Sequence, residues 1–433
     1  DMVSGTVKTI NTIDGLSGIT ITAVYHSPTL RKTIIGYENG LIIVYNEADG
    51  SMLNVVDIIN KSIPQNVKRV NHFMDYNGII YVSCDFGIVQ YNLNTLQFGD
   101  TYFIGPNGTQ INISQTAVFN GRIYASSLTS GVLSADITNP NLNDYNQWTS
   151  VAGFGWTGIE KLGLNLLAVS TTGSLQQWQG SSFTPIVQLP EPAVDVRNSG
   201  VYLIITTKNH VLIYNNALSQ ISDVLSNQIP NMVAEFTCAT IVDNTVFIGT
   251  KEDGIFSKGL TDSFFQNMTP DGPLRNNVFA ITTSPNSLWA VYGGYDIDYN
   301  PYTYIPSGLS QFGVSKLSKN GWLNIPYESL FGAKSISRVT INPKNEKQVY
   351  ISSFHSGLLK IENDIPIALF DNTNTGPNGL QEITTSPGDI WINGTAYDNT
   401  GNLWITNSVV AKGMKVLKTN GQFASYDMTG VFS

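Results

Sequence analysis

The chain has 433 residues, of which 42% are hydrophobic, 11% aromatic and only 13% charged, with 39 Gly and 20 Tyr. A sequence this poor in Lys and Glu and this rich in Thr, Asn, Ser and Tyr speaks against a helical protein and for an all-β one. Its formal net charge of -9 argues against a nucleic-acid partner, whose phosphates demand a basic surface, and no apolar run reaches the roughly 18 residues of a membrane helix.

One pattern recurs along the chain. Residues 33–45 (TIIGYENGLIIVY) hold an apolar strand, a tight Gly-marked turn and a second apolar strand. Residues 80–91 (IYVSCDFGIVQY) and 349–361 (VYISSFHSGLLKI) repeat it, as do six further stretches. The turns fall at Gly40, Gly87, Gly131, Gly173, His210, Gly254, Gly313, Gly357 and Gly413. An all-strand period of roughly 40–50 residues is the mark of a β-propeller. Turns such as Asn77-Gly78, Asn120-Gly121 and Asp243-Asn244 supply the two positive φ angles of a type I′ hairpin. Turns such as Asn320-Gly321 and Asn420-Gly421 lead to a fourth, more polar strand. Strands apolar at almost every position suit a sheet covered on both faces by neighbouring blades.

Taken from the N-terminus, DMVSGTVKTI reads as the outer hairpin of a blade whose earlier strands lie upstream, so a longer parent protein is expected. Residues 57–66 are expected to form a short helical turn between blades. Cys84 and Cys238 sit in strands of different repeats and read as buried free thiols. Gly153, Gly155 and Gly158 spell a dinucleotide-like Gly motif, but strand rather than helix comes next, so they are expected to form a turn joining two blades. About nine and a half blades exceed the four to eight of a single ring. The expected division is a first β-propeller over residues 1–270, with its first blade incomplete, and an incomplete second over 271–433, or blades of an interleaved ring. The fold class is therefore an all-β propeller of four-stranded antiparallel blades, with one seven-bladed ring and part of another.

Catalytic chemistry is sparse. The four histidines, His26, His72, His210 and His355, show no metal-ligand spacing, and His210 and His355 read as solvated turn residues. Asp296, Asp298 and Asn300 open like a calcium loop, but Pro301 occupies the place of the turn glycine and Ser307 that of the bidentate Glu. No cofactor is expected, with calcium at that triplet the one alternative. The same insertion, residues 293–312, lengthens one blade turn. It brings Tyr295, Tyr299, Tyr302 and Tyr304 together with Asp296 and Asp298, and Tyr292 precedes it. Tyrosines on a projecting loop suit a protein or sugar partner, because each offers rigid area and a hydroxyl. These seven residues are the candidate ligand- or partner-binding set.

Residues 271–294 (DGPLRNNVFAITTSPNSLWAVYGG) and 397–407 (YDNTGNLWITN) resemble the two-component-regulator propeller repeats common in Bacteroidetes. Residues 82–108 and the stretch ADITNPNLNDYNQW at 135–148 resemble the PorZ-like family, surface propeller proteins of the type IX secretion system. That resemblance is clearest over residues 11–150. It implies two seven-bladed propellers and a C-terminal β-sandwich, a place in the complex that attaches cargo at the outer membrane surface, export through the periplasm, and partners among secretion-complex proteins or lipopolysaccharide glycan. It implies no enzyme activity. The alternative is a periplasmic glycan-sensing propeller of a hybrid two-component system. A propeller lyase or glycosidase would need carboxylates, His, Tyr or Arg converging on a central channel.

Overall fold

The computed structural model describes residues 10–12, 14–18, 20–153, 155–230, 232, 234–269, 271–275, 277–294, 310–428 and 430. Those residues form nine four-stranded antiparallel sheets. In each, strands adjacent in sequence are adjacent in the sheet, which is the up-and-down order of a propeller blade. The all-β, four-stranded architecture expected from the repeats is the architecture found.

The chain divides into two compact units, residues 1–270 and 271–433. The first holds blades 1 to 6, at residues 21–55, 70–102, 115–152, 156–188, 193–225 and 236–267. Their inner strands are Ile21–Ser27, Val70–Tyr76, Gln115–Phe119, Trp156–Leu162, Ala193–Ser199 and Phe236–Val242, and each packs beside the next. The second unit holds blades 7 to 9, at residues 280–325, 336–370 and 392–426. Their inner strands Ala280–Ser284, Ile336–Asn342 and Ile392–Tyr397 succeed one another in the same way.

Local chemistry accounts for the blade. The second strands, such as Ile79–Cys84, Arg122–Ser127 and Tyr202–Thr207, are buried at every position but the first, whereas the fourth strand Phe183–Gln188 is exposed at every position but the first. The hairpin turns carry the positive φ pairs their sequences require: 55° and 81° at Asn77 and Gly78, and 47° and 64° at Asp243 and Asn244. The repeated glycine has a second reason. A Cβ on Gly357 would lie 2.1 Å from the carbonyl oxygen of Phe370, and one on Gly131 would lie 2.1 Å from that of Ala152. In both blades the third strand starts where the fourth ends, and only a residue without a side chain fits. Residues 57–66 form turns, and one 3-10 turn lies at Gln65–Val67. Gly153 and Gly155 lie between the strands Thr149–Ala152 and Trp156–Leu162, joining blades 3 and 4 as expected, whereas Gly158 lies inside the second of these strands, paired with Val169.

Candidate functional site

The inner strands share a feature that aims side chains at the propeller axis. The register shifts after the first residue of seven of them: between Ile21 and Ala23, Val70 and His72, Trp156 and Gly158, Ala193 and Asp195, Phe236 and Cys238, Ile336 and Arg338, and Ile392 and Gly394. A bulge of this kind bends the strand and re-aims the side chains beyond it. The bulged residue is also a fastener between blades. Thr22 Oγ1 donates to the Val70 carbonyl at 2.6 Å, and Asn71 Nδ2 to the Ile113 carbonyl at 2.9 Å. In blade 3, Ser114 Oγ donates in the same manner to the Trp156 carbonyl at 3.3 Å. Gln115 ties three blades: its Nε2 donates to the Val196 carbonyl at 2.8 Å and its Oε1 accepts from the Ile159 amide at 2.9 Å.

In the first unit the aimed positions gather ionisable groups from three inner strands. His72 Nε2 of blade 2 lies 3.6 Å from Glu160 Oε1 of blade 4, and Arg197 Nε of blade 5 donates to Asp195 Oδ2 at 2.7 Å. The side chains keep 15% (Glu160) to 39% (Arg197) of their surface, so they meet water in a narrow space. Crowding by protein dominates their titration. Burial first, then the Asp195 charge, raises the Glu160 carboxyl to about 8, against the opposing pull of Arg197 and a backbone hydrogen bond from Asn198. Burial, helped by the Arg197 charge, lowers the His72 imidazole to about 3. Asp195 is raised by burial and held back by Arg197, while Arg197 is raised chiefly by Asp195. Near neutral pH Arg197 is therefore charged, Glu160 protonated and His72 neutral. Cys238, on the equivalent position of blade 6, is a free thiol whose pKa burial raises.

The second unit has a cavity of about 450 Å³ on its inner strands, lined among others by Ile281, Thr282, Arg338, Thr340, Asn393 and Thr395. Threonines fasten its walls: Thr282 Oγ1 donates to the Val339 carbonyl at 2.9 Å, and Thr395 Oγ1 to Thr340 Oγ1 at 2.7 Å.

Of the candidate set from the sequence, Tyr292 is buried, and its hydroxyl donates to Ser315 Oγ at 2.5 Å, so it offers no ring to solvent. Tyr295, Asp296, Asp298, Tyr299, Tyr302 and Tyr304 lie outside the described residues. Among the described residues no three His, Cys, Asp or Glu side chains are placed to hold a metal ion. The solvated reading of His355 is corrected. It is 3% exposed, its ring meets Phe354 and Trp391 with centroids 5.0 and 5.7 Å away, and burial lowers its pKa against the raising effect of Asp389. His210 is half-buried, with Nδ1 2.9 Å from Asp223 Oδ1. The sequence reading missed the axial group altogether. The signal it carried was a charged residue inside a short strand between apolar neighbours, as in AVDVRNS, once the repeats are aligned on their bulges.

Residues 3–149 match the family described as TSS9, PorZ, N-terminal beta-propeller domain. Over 96% of its length the chain superposes on PorZ, which is described as an essential bacterial surface component of the type-IX secretion system of Porphyromonas gingivalis, with a TM-score of 0.77 and 18% identity. It covers 54% of that protein, so it spans about half of PorZ. The extracellular domain of a putative hybrid two component system from B. thetaiotaomicron aligns over 98% of this chain and 61% of its own, at 13% identity and a TM-score of 0.47. A second such domain from the same organism aligns over 95% and 66%, at 11% and 0.43. No curated protein matches the sequence. Residues 3–149 thus match the PorZ N-terminal β-propeller family, and the chain resembles PorZ in fold over nearly its whole length.

Proposed function

We propose that the chain is the propeller part of a noncatalytic surface component of the type IX secretion system, associated with the outer membrane after export through the periplasm. The observation that carries this reading is the match of residues 3–149 to the PorZ N-terminal propeller family, and the PorZ-like fold of the remaining blades supports it. On this reading residues 1–270 belong to a seven-bladed ring, with a seventh blade beside the six described, and residues 271–433 to a second ring. A rigid ring presents loops at low entropic cost, and a few aromatic anchors carry most of the binding energy. The insertion at 293–312 is the proposed loop, and secretion-complex proteins or lipopolysaccharide glycan are its partners. Among the described residues no helix is long and apolar enough to cross a membrane.

The test is capture of the tagged protein from outer membranes of its own host. Co-purifying secretion-complex proteins, together with loss of cargo from the surface of a deletion strain, are the expected result. Recovery of the protein alone, with cargo still anchored in the deletion strain, would remove the reading. A second reading, glycan cleavage, draws on the meeting of His72, Glu160, Asp195 and Arg197 on one axis. It predicts host polysaccharide cleavage by the purified protein that Glu160→Gln abolishes.

A further inference from the structure

The axial group of the first unit has an unusual electrical composition. Asp195 engages one edge of the Arg197 guanidinium through Nε, and among the described residues no other acceptor is bonded to it. A guanidinium has five N–H donors, so its two terminal amino groups remain open as a pair. His72 Nε2 lies 3.6 Å from Glu160 Oε1, and the inner strands of blades 4 and 5, which carry Glu160 and the Asp195–Arg197 pair, pack side by side, so the Arg197 charge acts on both Glu160 and His72. His72 Nδ1 is buried without a hydrogen-bond partner among the described residues.

We propose that the axis of the first unit is a carboxylate-binding site, in which the terminal amino groups of Arg197 take the two ligand oxygens end-on and Glu160 and His72 close around them. A planar carboxylate fits two parallel N–H donors. A single negative charge suits one cation already half-engaged by Asp195, whereas a dianion would need a second cation that the group lacks. A cationic ligand would face Arg197 and would find Glu160 protonated, so the site selects against it. The limited exposure of the four side chains means that only the slender, acid-bearing end of a ligand enters, such as a sugar acid or an organic acid. The assignment is independent of the secretion reading, because it rests only on the side chains of blades 2, 4 and 5.

The site has a built-in pH response. Ionisation of Glu160 would set a second negative charge beside the ligand, so binding weakens as pH rises past the value at which Glu160 loses its proton. The groups facing Glu160 are His72 from blade 2 and Asp195 and Arg197 from blade 5. The inner strand Gln115–Phe119 and the second strand Asn165–Ser170 bring no ionisable side chain. Of the other strands packed on blade 4, Arg122–Ser127 brings Arg122, which is hydrogen-bonded to Ser134, and the buried Tyr124, and Tyr202–Thr207 brings Tyr202.

The test uses the full chain, titrated with D-glucuronate, sulfate, glucose and calcium chloride while the Arg197 Nε–H signal is followed by NMR. A saturable shift with glucuronate at pH 7, absent with glucose and calcium, is expected. Arg197→Gln should weaken glucuronate binding about tenfold or more, and Arg197→Lys, which keeps the charge but loses the fork, several-fold. Melting curves identify any variant that has not folded, and Arg197→Lys keeps the assay decisive if Arg197→Gln unfolds. Wild-type affinity should fall between pH 7 and 9, and Glu160→Gln, which cannot ionise, should flatten that profile. No saturable shift, an equal response to glucose, tighter binding of sulfate, a calcium response, or unchanged affinity in Arg197→Lys would each overturn the site.

Discussion

At the scale of single residues, carboxylates do two opposite jobs. Asp398 closes the turn of blade 9 by accepting from the Thr400, Gly401 and Asn402 amides, from Thr400 Oγ1 and Asn402 Nδ2, and from Trp404 Nε1. These donors stabilise the charged form and hold its pKa far below the usual carboxylate range, the Thr400 side chain contributing most. A depressed acid stabilises the fold fully above its unfolded value of about 4, and that contribution is lost as pH falls. Asp398→Asn should therefore melt below the wild type at pH 7, with the gap narrowing from pH 5 downward; a gap independent of pH would contradict this. Glu160 is the reverse case. Its folded value of about 8 lies above an unfolded one of about 4.3, so stability falls as pH rises between them. His72, held at about 3, supplies the other arm, its contribution being complete above about 6.5 and lost as pH falls. Denaturant titrations of Glu160→Gln should lack on the order of 2 kcal/mol of the wild-type decline between pH 5 and 8. An identical slope in the two proteins would remove Glu160 as its source.

At the scale of the blade, two devices recur: the glycine that lets the third and fourth strands converge, and the bulge that fastens one blade to the next. Gly357 has φ +96° as well as the close Phe370 carbonyl, so Gly357→Ala should cost about 3 kcal/mol in urea unfolding. A cost below about 0.5 kcal/mol would mean that the turn yields freely. The Gln115 bridge is worth more than its one side chain suggests. Gln115→Ala leaves the Ile159 amide and the Val196 carbonyl unsatisfied inside the blade stack, for a loss of about 2–4 kcal/mol. Gln115→Glu, which keeps an acceptor but loses the amide donor, should fall between the two. Blade 5 starts its third strand at His210 instead of glycine, and the His210 amide is received by Thr207 Oγ1 at 2.9 Å.

At the scale of the whole chain, stacked repeats gain stability from each neighbour, so an array of blades survives as a unit. The fragment 1–270, with six blades and its own core clusters, should keep a strand-rich circular dichroism spectrum and a cooperative melt. A disordered spectrum would show that it depends on the rest of the protein. The hairpins were legible in the order of residues, because a type I′ turn needs Asn-Gly and a doubly covered strand needs Val, Ile and Leu at successive positions. The same logic recovered the turn at Gly153 and Gly155 and the burial of Cys84, whereas Cys238 keeps partial exposure. The depth of His355 was not legible, because a turn residue is buried or solvated according to what packs over it, here Phe354 and Trp391. Nor was the axial group. His72, Glu160 and Arg197 stand 88 and 37 positions apart in sequence. Their meeting depends on the curvature of the stack and on bulges that local composition does not announce. Sequence alone determined the repeating unit, since turn and strand chemistry act over a few residues. Tertiary structure alone decided which charges meet, since that proximity exists only once the inner strands of blades 2, 4 and 5 are held together by the stack.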